Sequence, residues 1–198
     1  MKNLLIVLLI IIVVIIIFVG LFIGRYNRMQ QLRVNIDQGW ADVQTQLMRR
    51  FDLIPNLVET VRGYAAHEQE TFRAVTEARA RVGGIMEVSE DLLNDPEAFQ
   101  RFQEAQNTLA GAVQRLLMVT EAYPELKANQ NFIRLQDELA GTENRIAVER
   151  RRFNEAVGEY NRTIVVFPNN MIAGMFNLER AQFFEAPEET QVAPTVEF

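Results

Sequence analysis

The side chains of this sequence that could do acid–base or metal chemistry are few. The one histidine, His67, stands next to Glu68. On paper that is an acid–base pair. On a helix, however, neighbouring residues point about 100° apart and do not face each other, so His67 reads as a partly exposed helix residue. A di-metal carboxylate centre in a helical bundle takes two Glu-x-x-His motifs and two further glutamates. The residue three before His67 is Tyr64. There is no cysteine, which excludes thiolate zinc sites, and a single histidine among carboxylates makes a poor zinc cage. Ser89 is the only serine, and neither a Gly-x-Ser-x-Gly elbow nor a phosphate loop is present. The expectation is a protein that is not an enzyme, with no catalytic residues, metal, cofactor or small-molecule substrate.

A second group of polar residues is more informative. Glu68, Arg79, Gln106, Glu143 and Arg150 interrupt apolar stripes of helical period. An unpaired buried charge is strongly unfavourable, so several of both signs predict a paired polar layer between helices. Such layers fix register more than they add stability. The expectation is that at least one opposite-charge pair from this set bridges two helices. The run "ERRR" at 149–152 reads as salt-bridged surface plus one inward arginine. With a net charge of −6 it does not suggest nucleic-acid binding.

The elements that must position these residues follow from the 3.6-residue period. Four segments carry it. The first is marked by Met29, Leu32, Ile36, Trp40, Val43 and Leu47; the second by Leu57, Val61, Tyr64, Phe72, Val75 and Val82. The third has Phe99, Phe102, Leu109, Val113 and Leu116; the fourth runs from Phe132 to Ile164. Pro55 lacks a backbone donor and disfavours helix at Ile54. The sequence therefore predicts a corner at Asp52–Pro55, with Asp52 capping helix two and Arg49 and Arg50 closing helix one. Residues 83–96 read as a loop in which Asn94 or Asp95 caps the next helix and Pro96 takes its first position. Pro124 marks the next turn, and "FPNN" at 167–170 ends the fourth helix. The predicted fold is all-α: an N-terminal transmembrane helix followed by an elongated up-down four-helix bundle.

Leu4 to Ile23 is uninterrupted apolar sequence, long enough as a helix to cross about 30 Å of hydrocarbon. It exceeds a signal-peptide core, and no small-residue cleavage site follows. Residues 1–24 therefore read as an uncleaved membrane anchor, 25–184 as the bundle and 185–198 as an acidic extended tail. Arg25, Arg28 and Arg33 follow the span and Lys2 precedes it, a bias that leans towards a cytoplasmic bundle. Arg25 and Arg28 also suit anionic lipid heads. Gly20 and Gly24 form "GLFIG", a small-xxx-small spacing that suits close approach of two spans.

Four-helix parity returns residues 167–184, "FPNNMIAGMFNLERAQFF", to the membrane side. Capping of the bundle core is the favoured role for this segment, with interfacial contact as the alternative. The closing "VEF" alternates in a way that suits strand addition, although an unengaged tail is the simpler reading.

Several blocks together resemble the bacterial LemA family. They are "RYNRMQQLRVNIDQGWADVQTQLMRRFDLIPNLVETVRGYAAHE", "ARA" at 78–80, "EAYPELKANQNFIRLQDELAGTENRIAVERRRFNEAVGEYN" and "FPNNMIAGMFNLERAQFFEA". The resemblance covers nearly the whole chain and implies a single-pass protein of the bacterial inner membrane with a helical-bundle domain. It carries over no catalytic residues. The expected role is a membrane-anchored scaffold that self-associates as a homo-oligomer and organises or remodels the bilayer. The alternative is an adaptor presenting the bundle or tail to a membrane protease or sensor.

Overall fold

The computed structural model describes residues 2–88 and 92–185. Ser89 and the tail beyond Glu185 lie outside the described residues. Among these described residues six helices follow in order: α1 (Lys2–Arg62), α2 (Gln69–Val88), α3 (Pro96–Thr120), α4 (Pro124–Lys127), α5 (Gln130–Val165) and α6 (Asn169–Met175). Among the described residues there are no strands. α1 packs chiefly on α5 and α2 on α3, in antiparallel pairs, and the short α6 folds back onto α1 and α5. The apolar residues from Leu4 to Ile23, apart from Phe22, are exposed along α1, as a membrane-spanning segment requires. The helix runs from there into the bundle without a break. Its 61 residues span about 90 Å at 1.5 Å per residue.

The corner expected at Asp52–Pro55 is not there. Pro55 lies inside α1, Asp52 is exposed in mid-helix and caps nothing, and Arg50 is buried rather than terminal. A helix-interior proline normally strands the carbonyl four residues earlier, here that of Phe51. That carbonyl accepts a hydrogen bond from Arg79 Nε of α2 at 3.2 Å, and the Arg79 guanidinium lies 3.8 Å over the Phe51 ring. The side chain replaces the missing donor, so the helix passes through. The chain turns instead at residues 63–68, where Gly63 follows the last helical residue and Ala65 is buried under the turn. Glu68 therefore belongs to this turn rather than to helix two, and His67 is exposed in it. The number of reversals is unchanged, so the C-terminal segment still returns to the end of the span.

The start of α3 and the end of α5 carry their expected chemistry. Asp95 caps α3, accepting from the backbone N–H of Glu97 and Ala98, with Pro96 in the first turn. Asn129 caps α5 in the same way through Asn131 and Phe132. α5 ends at Val165, ahead of Pro168. α2 outlasts the expected loop start at Gly83, because Ile85 and Met86 pack against the core. At Gly39 an added Cβ would sit 3.3 Å from the Phe153 backbone; this glycine lets α1 and α5 approach closely at that level.

The Pro55–Arg79 relation is testable by a double-mutant cycle on the full chain in detergent. Arg79→Ala alone should cost about 1–3 kcal/mol in denaturant melts, the penalty of an unsatisfied buried acceptor. In a Pro55→Ala background, where residue 55 donates its own N–H, the same change should cost measurably less.

Candidate functional site

Two apolar cores fill the bundle. The one nearer the span gathers Met29, Leu32, Ile36, Trp40, Phe99, Phe102, Phe153 and Tyr160. The distal one gathers Ile54, Leu57, Val61, Phe72, Leu109, Leu116 and Phe132. Between them lies a polar layer centred on Arg50, which is only 4% exposed. Its Nη1 donates to Glu143 Oε1 at 3.1 Å and Oε2 at 3.4 Å. Its Nη2 donates to Gln106 Oε1, and to the Gln106 carbonyl at 3.5 Å. One guanidinium thus ties α1 to α3 and α5, while its Nε is buried without a partner among the described residues.

The structure redistributes the residues expected in this layer. Gln106 and Glu143 meet at Arg50, which the sequence reading had placed at a helix end. Arg79 serves the Phe51 carbonyl. Glu68 accepts from the Tyr123 hydroxyl at 3.3 Å, and Asn129 Nδ2 donates to the Tyr64 hydroxyl at 2.8 Å. These two bonds fasten the distal turns to each other, away from Arg50. The ion pair made by Glu143 across helices is with Arg50, a residue outside the expected set. The missed signal was spacing. Arg50 stands three residues after Leu47 and four before Ile54, on the same stripe, and only the expected corner hid it.

Arg150, the fifth residue, lies on α5 beside this layer. Burial lowers its pKa to about 10, with the Arg50 cation adding to the effect and Glu143 opposing it. Its guanidinium sits 4.3 Å over the Phe184 ring, and its Nε is unpartnered among the described residues. Phe184 is itself surrounded by aromatic rings, with Phe99 at 5.1 Å, Phe153 at 5.5 Å and Trp40 at 5.9 Å between centroids.

Phe184 belongs to an extended strap over residues 178–185, which sequence reasoning did not anticipate. Three amide side chains hold its backbone from both sides. Asn154 donates to the Phe184 carbonyl and accepts its N–H, both at 2.9 Å. Asn161 does the same with Ala181, also at 2.9 Å. Gln103 of α3 accepts from the Glu185 N–H at 2.9 Å and donates to the Phe183 carbonyl at 3.4 Å. A planar amide offers one donor and one acceptor at nearly the spacing of a peptide unit. Asn154 and Asn161, two turns apart on α5, therefore each clasp one residue of the strap, Phe184 and Ala181, through both its N–H and its C=O.

The anchor residues are placed as follows. Gly20 and Gly24 lie in α1 with open space where a Cβ would stand. Arg25 and Arg28 are exposed one turn beyond Ile23, and Arg28 pairs with Glu159 of α5. Arg49 pairs with Glu138 at 2.8 Å.

Two stability outcomes follow. Glu143→Gln leaves the buried Arg50 cation without its counter-charge. It should lower the denaturant midpoint by the equivalent of about 1–3 kcal/mol, because Glu143 is part-exposed and a fully buried pair would lose 3–5. Replacing Arg50, Gln106 and Glu143 together with apolar residues of similar volume should be near neutral. For the strap, Phe184→Ala should cost about 3–5 kcal/mol, and Asn154→Ala should raise amide hydrogen exchange at Phe184 and Glu185 while leaving α2 unchanged.

A family model described as "LemA family" matches residues 39–198. Magnetosome protein MamQ 2 of Paramagnetospirillum magneticum is 25% identical over 183 residues, covering 85% of this chain and 67% of the relative. Magnetosome protein MamQ of Magnetospirillum gryphiswaldense is 24% identical over 182 residues, covering 84% and 67%. Protein LemA of Metamycoplasma hominis is 24% identical over 175 residues, covering 88% and 75%.

Proposed function

The chain belongs to the LemA family, and from that premise we propose that it is a non-enzymatic, membrane-anchored scaffold that self-associates and organises or remodels the bilayer. The observation that carries this reading is the continuity of α1. The span and the longest helix of the bundle are one rod, so whatever orients one orients the other. Two further observations support it. The Gly20–Gly24 face is bare, which suits close packing of a second span. The groups with reactive potential are spread along the rod: His67 in the distal turn, Glu68 on Tyr123, Glu143 on Arg50. The match to proteins named for the magnetosome agrees with a role bound to a particular assembly. The bundle is proposed to face the cytoplasm, on the bias of Arg25, Arg28 and Arg33 after the span.

A second reading is favoured by the strap. Its backbone is held as far as Glu185, so the acidic tail departs from a fixed point on the side of the bundle. That suits an adaptor that presents the tail to a membrane protease or sensor. Mass photometry of the full chain in lipid nanodiscs separates the two readings. The scaffold predicts discrete oligomers, shifted towards monomer by Gly20→Leu with Gly24→Leu. A chain that is monomeric at every concentration overturns the scaffold and leaves the adaptor.

A further inference from the structure

α6 has two unlike faces. Asn169, Ile172 and Ala173 are buried against the bundle. Met171 and Met175, one turn apart on the other side, are 63% and 70% exposed. The residues just before the helix continue this surface: Val165 and Val166 are exposed, and Phe167 is 79% exposed. The strap that follows turns Phe184 inward and packs Leu178 and Ala181 against the core, while Phe183 stays 44% exposed. The segment expected either to cap the core or to meet the interface is thus divided. Residues 178–184 cap, and residues 165–176 present apolar side chains outward.

The position of this patch identifies what covers it. The antiparallel register in which Gly39 faces the Phe153 backbone, carried further, brings Val165 at the end of α5 level with Asn27, one turn beyond Ile23. The Phe176 ring lies 4.5 Å from Tyr26 and 6.2 Å from Phe22 between centroids. The patch therefore abuts the last turn of the apolar span, continuous with a surface already suited to lipid. Its charge agrees. Arg25, Arg28 and Arg162 line a cleft with Thr163, Val166 and Asn169. Arg28 is engaged by Glu159, whereas Arg25 and Arg162 make no ion pair among the described residues. Cations one turn beyond an apolar band stand at the depth of lipid phosphates, and exposed aromatic and thioether side chains at that depth suit the interface.

We propose that residues 165–176 dock into the bilayer interface beside the span, with Phe167, Met171 and Met175 among the upper acyl chains and Arg25 and Arg162 against the phosphates of anionic lipids. This rests on Leu4–Ile23 being the membrane anchor. The docked segment is a second attachment that fixes the tilt and rotation of the rod, which a lone span would leave free.

The absence of native cysteine allows a direct test on the full-length chain. Single variants Met171→Cys, Met175→Cys, Ile12→Cys in the span and Met118→Cys at the distal end carry an environment-sensitive fluorophore in nanodiscs, with and without phosphatidylglycerol. Labels at 171, 175 and 12 should be blue-shifted and quenched by brominated acyl chains, and the label at 118 should be neither. Arg25→Gln with Arg162→Gln should roughly halve quenching at 171 in anionic discs. If 171 and 175 match the red-shifted, unquenched label at 118 while 12 is quenched, the docking is overturned and the anchor stands. A blue shift without quenching means that protein covers the patch, which overturns it as well. An unquenched label at 12 removes the anchor and the docking together.

Discussion

The bundle depends on one buried guanidinium. Arg50 occupies a position on the inward stripe of α1 that every helical repeat before and after it fills with an apolar side chain. It divides the interior into two cores and is paired across them to α3 and α5. A buried ion pair is weak evidence for stability, since desolvation of the charge offsets most of the attraction. Its effect lies in exclusion. Sliding α5 by one turn would set Arg50 against Leu139 or Ile146 and leave a charge in hydrocarbon, whereas an all-apolar stripe would accept the shift. The register of α1 on α5, the approach at Gly39 and the level at which α6 meets the span all follow from that choice.

The same stretch shows where reading the sequence failed, and why. Proline in a helix is unfavourable because it strands a carbonyl and crowds the preceding turn. Both penalties are local and legible, and they predicted a corner. What relieves the first of them is a side chain 28 residues later, and nothing near Pro55 announces it. Arg79 interrupts its own stripe, but its partner is a backbone atom rather than a carboxylate, and charge complementarity does not point to it. The expected corner also conceals Arg50, since a residue at a helix end has no place on an inward stripe. One tertiary contact thus accounts for two errors.

Elsewhere the legible features were those with local causes. The Asp95 cap with Pro96, the end of α5 ahead of Pro168 and the apolar span each rest on a few adjacent residues. The all-α fold rests on periodicity that survives any misplaced turn. The strap was not legible, for a physical reason. Asn154, Asn161 and Gln103 recognise backbone, which has no sequence signature. Phe184 reads alike whether it faces lipid, solvent or the aromatic cluster around Trp40.

The continuity of α1 joins these local facts to the membrane. A linker between span and bundle would let the bundle rotate freely, and the polar layer would then matter only to its own interior. Helical residues run unbroken from the glycine face to Arg50, so the direction in which that face points is fixed relative to α5, α6 and the strap. The distal turns, tied through Glu68 and Tyr123, hold the far end, and Phe176 against Tyr26 holds the near one. A rod restrained at both ends and registered in its middle transmits rotation rather than absorbing it. On the proposed self-association, the orientation at which two copies would meet in the bilayer is a property of the bundle core, set by a buried arginine more than seven helical turns beyond the apolar span.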